Sequence, residues 1–179
     1  MISDYEQASI WMFRRTKWPV LKVVFVCYPF LIYLLSYYPL IERNEFDVTV
    51  CEEILQATIP QLKIAWPKIL GDGVNMEAHL LNNNRHFHKN LYGIPEPVEG
   101  TVVQPSQIDV VFVPLLAFDL KGFRVGYGKG FYDRYLPLCR PDIVKVGFSF
   151  FEAIGQIADI NEFDVPLDYC ITPIRLYEL

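Results

Sequence analysis

The chain has 179 residues, 52% hydrophobic and 21% charged, which fits one domain with a sizeable core and excludes a disordered chain. Sixteen Lys and Arg against 21 Asp and Glu leave a net charge of −5, which argues against a general affinity for nucleic acid. Aromatic residues reach 15%, enough for a packed core or for stacking surfaces against a flat ligand.

Ser3 with Glu6 has the spacing of a capping box, and Ile10 and Phe13 follow at helical spacing, so residues 3–15 are predicted as a helix. Val23 to Ile41 is a run of 19 residues without a charge, the length of a membrane span. Pro29, Pro39 and four tyrosines interrupt it, and the chain opens without a signal-peptide pattern. Two short pieces are the better reading: a β-branched strand over 22–27 and a second apolar element over 30–37, of open type. Residues 47–58 place Val50, Ile54 and Leu55 on one helical face before Pro60. Strands are expected at 61–66, ending before Pro67, and at 76–81. Residues 82–107, with Asn82 to Asn84 and several Gly and Pro, read as loop-rich. His86 and His88 within that run are either part of an exposed loop or a metal pair. The runs 108–113 and 142–150 are continuous apolar strands of the sort buried on both faces of a parallel sheet, and 169–172 is a last strand before Pro173. A helix starts at 130–138, so strands alternate with helices and an α/β sheet covered on both sides is expected. Cysteines 27, 51, 139 and 170 form no C-x-x-C and read as small buried hydrophobes of a reducing, cytoplasmic compartment.

Chemistry concentrates in DVVFVPLLAFDLKGFRVGYGKGFYD, residues 109–133. A buried strand ends at Pro114, a turn with Asp119, Lys121 and Gly122 follows, and Arg124 then leads into Gly126, Gly128 and Gly130 before a helix. Three glycines at alternate positions permit positive φ and a close approach of ligand to backbone. Successive amides there make an anion nest, strengthened by the helix N-terminus that follows. Arg124 and Lys129 add positive charge, and Asp133 is placed to hold a Mg²⁺ that bridges phosphates. The spacing is neither that of the P-loop nor that of the dinucleotide fingerprint. The loop occupies the carboxyl end of a strand, where open α/β sheets bind ligands.

This segment resembles the signature of the 5-formyltetrahydrofolate cyclo-ligase family, whose pattern is roughly P-x-x-A/G-F-D followed by R-x-G-x-G-x-G-Y-Y-D; Phe131 stands where the family usually has Tyr. NEFDV (44–48), AWP (65–67), YGIPEP (92–97) and DVPLD (164–168) followed by ITP resemble further family segments in order. The resemblance implies a single domain over 1–179, a three-layer α/β/α fold with a mainly parallel sheet, similar to the ribose-5-phosphate isomerase and CoA-transferase type. It also implies conversion of 5-formyltetrahydrofolate, in free or polyglutamylated form, to 5,10-methenyltetrahydrofolate with ATP and Mg²⁺, by a monomer or homodimer with no nucleic-acid or membrane partner.

By position, Arg124, Val125, Gly126, Tyr127, Gly128, Lys129, Gly130, Phe131 and Tyr132 resemble the ATP-binding loop. Tyr127 to Phe131 also border the folate, and Asp133 and Asp168 resemble the Mg²⁺ ligands. Lys129, Tyr132 and Arg124 are the candidate catalytic residues, with packing an equal alternative for Tyr132. Glu45 is placed to accept hydrogen bonds from the pterin, and Met76 and Tyr92 to wall its pocket. One departure is expected to matter. The family begins with a basic helix, K/R-x-x-x-R, whereas this chain opens on ISDYEQAS, which resembles the segment after it; Arg14, Arg15 and Lys17 fall too late in the pattern. A non-catalytic nucleotide- or folate-binding paralogue and a membrane-associated protein using residues 19–41 are the alternatives to an active enzyme.

Overall fold

The computed structural model describes residues 31–40, 45–81 and 86–179. The expected helix at 3–15, the strand at 22–27, Cys27, Asn82 to Asn84 and the basic residues Arg14, Arg15 and Lys17 lie outside the described residues.

In chain order the elements are β1 (Tyr33–Leu35), α1 (Thr49–Thr58), β2 (Lys63–Ile69), β3 (Met76–Leu80), β4 (Phe87–Lys89), β5 (Pro95–Pro97), β6 (Thr101–Val103), β7 (Val110–Val113), β8 (Ala117–Phe118), β9 (Arg124–Val125), α2 (Phe131–Tyr135), β10 (Val144–Phe148), β11 (Tyr169–Ile171) and β12 (Leu176–Glu178). Eight of the strands form one sheet in the order β12-β11-β10-β7-β1-β2-β3-β6. The inner five, β11, β10, β7, β1 and β2, run parallel, while β12, β3 and β6 pair antiparallel at the edges. The fold is thus α/β with a mixed, mostly parallel sheet.

Alternation along the inner strands divides two cores. Leu34, Ile64, Val110, Phe112, Val144 and Val146 face one side and pack with Cys51 and Leu55 of α1. Leu35, Ala65, Val111 and Val113 face the other and pack with Tyr135 of α2 and Leu136 beyond it. Both faces of β7 are covered, which is why its four residues are all apolar and all buried. Each such side chain contributes roughly 1.5–3 kcal/mol on burial. Gly147 has no room for a side chain: a Cβ there would meet Leu115 at 2.5 Å and Leu167 at 2.7 Å.

Two expected boundaries shift. Strand β2 runs through Pro67 to Ile69 instead of stopping before the proline. Ser36 N–H donates to Ala65 O at 2.9 Å, so the peptide groups of Ala65 face β1. Pro67, two residues on, faces the same side, where β1 has already ended, and its missing N–H leaves no ladder bond unmade. The loop-rich stretch contains β4, β5 and β6, with His88 exposed on β4 and paired opposite Glu96. Among the described residues no group of three His, Cys, Asp or Glu side chains is placed to hold a metal ion.

The uncharged 23–41 run contributes β1, the strand between β2 and β7. Its described part is therefore sheet core, which corrects the membrane-span alternative. No helix among the described residues is long and apolar enough to cross a membrane.

Candidate functional site

The chain places β2 on one side of β1 and later returns to place β7 on the other. Sheets of this kind open a crevice where the strand order reverses, beyond the carboxyl ends of the strands. A cleft of about 570 Å³ lies there, lined by residues that follow β1 (Tyr37, Tyr38, Leu40, Glu45), by Pro114 after β7, by Pro67 and Ile69 of β2, and by the whole run 123–133. That volume is within the range of small-molecule sites.

The glycine loop forms one wall. Gly128 and Gly130 adopt φ of 75° and 65°, a left-handed backbone that other residues adopt at a cost. Gly126 is not among the positive-φ glycines, so only two of the three use that freedom. Gly130 is the N-cap of α2, which has five residues. A helix this short has little macrodipole, so it adds little to the positive charge that Lys129 brings to the wall.

Arg124 closes the loop. Its Nη2 donates to Asp133 Oδ1 at 2.7 Å and its Nη1 to the carbonyl of Val165. Val165 N–H donates to the same Asp133 oxygen at 3.2 Å. Lys129 is exposed, and its ammonium lies 4.9 Å from the centroid of the Tyr92 ring. That ring also meets Phe131 edge-on, with centroids 6.1 Å apart. Asn90 fixes the Tyr92 turn, its Oδ1 accepting from Tyr92 N–H at 2.8 Å and Ile94 N–H at 3.0 Å.

The deeper end is built from tyrosines around a carboxylate. Glu45 is 8% exposed, and its Oε2 accepts from Leu40 N–H at 2.6 Å. Tyr37 donates from its hydroxyl to Phe46 O at 3.1 Å. The Tyr132 hydroxyl is buried with no partner among the described residues. Burial first, and then the negative charge of Glu45, push both phenols well above their ordinary range. Both hydroxyls therefore remain protonated donors at neutral pH.

The structure brings Glu45, Met76, Tyr92, every residue from Arg124 to Tyr132, and Asp133 onto one cleft. It does not bring Asp168 there. Asp168 Oδ2 accepts from Lys145 N–H at 2.7 Å and pairs with Lys145 Nζ at 2.8 Å, where β10 and β11 begin. The cleft lies where β1 and β7 end, so the structure does not bring Asp168 together with Asp133, the partner expected from the sequence. The other aspartate of the same sequence element, Asp164, does line the cleft, as does Asp159. Sequence reasoning also missed Tyr37 and Glu96. Glu96 stood in plain view within YGIPEP; buried, it accepts from Ile69 N–H at 2.8 Å and Asn90 Nδ2 at 2.7 Å, and so ties the Tyr92 turn to β2.

The residues present suit Mg²⁺, which in phosphate sites is held by one or two carboxylates together with phosphate oxygens. Asp133 has one oxygen engaged by Arg124 and Val165 and a second to offer, and Asp164 lies on the same wall.

A model of the 5-formyltetrahydrofolate cyclo-ligase family matches residues 35–173. The chain is 46% identical over 69 residues to the 5-formyltetrahydrofolate cyclo-ligase of Mycoplasma genitalium, covering 38% of this chain and 41% of that one. It is 35% identical over 134 residues to the corresponding protein of Mus musculus, covering 68% and 66%. The first of these curated relatives are matched over about half of their own length. Its fold resembles the solution structure of Aquifex aeolicus 5,10-methenyltetrahydrofolate synthetase, with a TM-score of 0.72 and 28% identity over 97% of this chain and 81% of that one.

Proposed function

The chain belongs to the 5-formyltetrahydrofolate cyclo-ligase family, and from that premise we propose that it cyclises 5-formyltetrahydrofolate to 5,10-methenyltetrahydrofolate, with ATP as phosphoryl donor and ADP and phosphate as products. The observation that carries this reading is the one cleft that the glycine loop lines together with Glu45, Met76 and Tyr92.

The chemistry asked of such a site is limited. A formyl oxygen is a poor leaving group; once it carries the γ-phosphoryl it leaves as phosphate, and N10 attacks the activated carbon to close the ring. Phosphoryl transfer of this kind depends on positioning and on neutralising charge. Lys129 and the amides of 126–130 supply both toward a triphosphate, and Arg124 holds the loop in register while its own charge is balanced by Asp133. Asp133 and Asp164 are the residues that would hold Mg²⁺, which supplies charge neutralisation between phosphates when bound.

Glu45 and the aromatic walls suit the pterin. Its amino and ring N–H groups are donors, and Glu45, already anchored at Oε2, presents an acceptor. In this reading Tyr132, a protonated hydroxyl near Glu45 with no partner among the described residues, donates to the formyl oxygen or to a phosphate.

The test is a spectrophotometric assay that follows the appearance of methenyltetrahydrofolate with ATP and Mg²⁺. ATP-dependent product is expected; folate binding without product would mark a binding protein instead.

A further inference from the structure

Arg134 is exposed, yet two of its three guanidinium nitrogens are engaged beside the glycine loop. Nε and Nη2 donate to the Val74 carbonyl at 3.0 and 2.5 Å, and Nη2 donates also to the Lys129 carbonyl at 2.7 Å. The guanidinium carbon lies 5.6 Å from the centroid of the Phe131 ring. One side chain thus bridges the glycine loop to the turn between β2 and β3, sixty residues away in sequence.

That turn is a firm anchor. Asp72 Oδ1 accepts from Val74 N–H at 2.8 Å and Asn75 N–H at 2.9 Å, and its Oδ2 from Asn75 Nδ2 at 2.7 Å. Leu70 N–H donates to Asn75 O at 2.8 Å, closing the hairpin. Met76 follows directly and lines the cleft. By contrast, the loop on the other side of Arg134 is rich in glycine and loses much backbone freedom when held in one conformation.

We propose that Arg134 is a positioning residue: by clasping the Lys129 carbonyl to the Val74 carbonyl it holds the glycine loop at a fixed distance from the β2–β3 wall and so sets affinity for the nucleotide. The proposal rests on the cyclo-ligase reading for the identity of that ligand. A planar fork of donors is required, because two carbonyls on different segments are satisfied together; a lysine ammonium is a point charge and reaches them less well.

Two measurements on the whole chain decide it. In amide hydrogen exchange without ligand, R134A is expected to exchange about tenfold faster over residues 126–130, with β7 and β10 unchanged. In steady-state kinetics, R134A is expected to raise KM for ATP about tenfold while kcat changes by less than about twofold, the scale of losing charge-assisted hydrogen bonds. R134K should fall between the parent and R134A. D72A loosens the same clasp from the other end and should shift both readouts in the same direction. Unchanged exchange in R134A overturns the clasp, and faster exchange with an unchanged KM for ATP overturns its role in affinity. An inactive parent chain whose loop exchange still depends on Arg134 overturns the reaction and keeps the clasp; an active parent whose loop exchange does not depend on it does the reverse.

Discussion

Arg124 and Asp133 are nine residues apart in sequence and 2.7 Å apart in space, so their ion pair closes a ring around the glycine loop. The Arg124 side chain is 6% exposed and that of Asp133 25%. Asp133→Asn keeps the shape and removes the countercharge, leaving a buried guanidinium unbalanced. Breaking such a pair costs about 3 kcal/mol. A lower urea midpoint at unchanged m-value is expected, with turnover suppressed. An Asn variant with an unaltered midpoint would show that the pair does not hold the loop.

Lys129 contributes charge without holding the fold, since it is exposed and its ammonium contacts an aromatic ring. Lys129→Ala is therefore expected to leave the melting temperature near that of the parent. Turnover should fall by roughly 10²–10³, the scale of removing one preorganised donor from developing charge. Lys129→Arg should restore part of the loss. Undiminished turnover in the alanine variant would remove Lys129 from the reaction.

Tyr132 separates stability from activity. Its hydroxyl is buried and unpartnered, and an unsatisfied buried polar group costs about 1–3 kcal/mol. Tyr132→Phe deletes that group and keeps the ring, so the melting temperature should rise by about 2–4 °C for each kcal/mol recovered. If the hydroxyl faces substrate, kcat falls in the same variant. A variant with unchanged kcat would leave Tyr132 a packing residue.

Alkaline pH offers an independent check. Burial and the Glu45 charge raise the pKa of Tyr37 and of Tyr132 above the ordinary 10.0. Their neutral forms favour the folded state, so this contribution to stability is complete below pH 10 and is lost as pH climbs toward the folded values. Part of the phenolate absorbance should accordingly appear only with unfolding, and Tyr132→Phe should move alkaline unfolding to higher pH. Complete reversible titration of every tyrosine in the folded protein near the ordinary value would contradict this.

Legibility in the sequence followed the range of the forces involved. Buried strands such as β7 were plain because both faces must be apolar, and the helix over α1 was plain because its apolar residues share one face. Strands β4, β5 and β6 were not, because strands of three residues are too short to carry a periodicity and are fixed by their partners. In the same way the glycine loop announced itself locally. Tyr37 and Glu96 did not, since each meets the cleft only through the folding of distant segments.

Asp164 and Asp168 show the same limit within five residues. Both stand in one sequence element, and only the course of the chain distinguishes them: Asp164 reaches the cleft, while Asp168 is held by Lys145. Asp168→Asn should therefore be a stability variant. It weakens a partly buried pair and one charge-assisted bond to the Lys145 amide, lowering the melting temperature while the dependence of turnover on Mg²⁺ stays that of the parent. Asp164→Asn should do the opposite. Among the described residues its Oδ2 accepts only from the exposed Asn161 N–H, at 2.8 Å, so stability should change little. On the proposed site the Mg²⁺ concentration giving half-maximal turnover should rise, because one of the two carboxylates proposed to hold the metal has lost its charge. Magnesium titrations of the two variants side by side decide between the aspartates, and a raised requirement in Asp168→Asn alone would return the metal to the position first expected from the sequence.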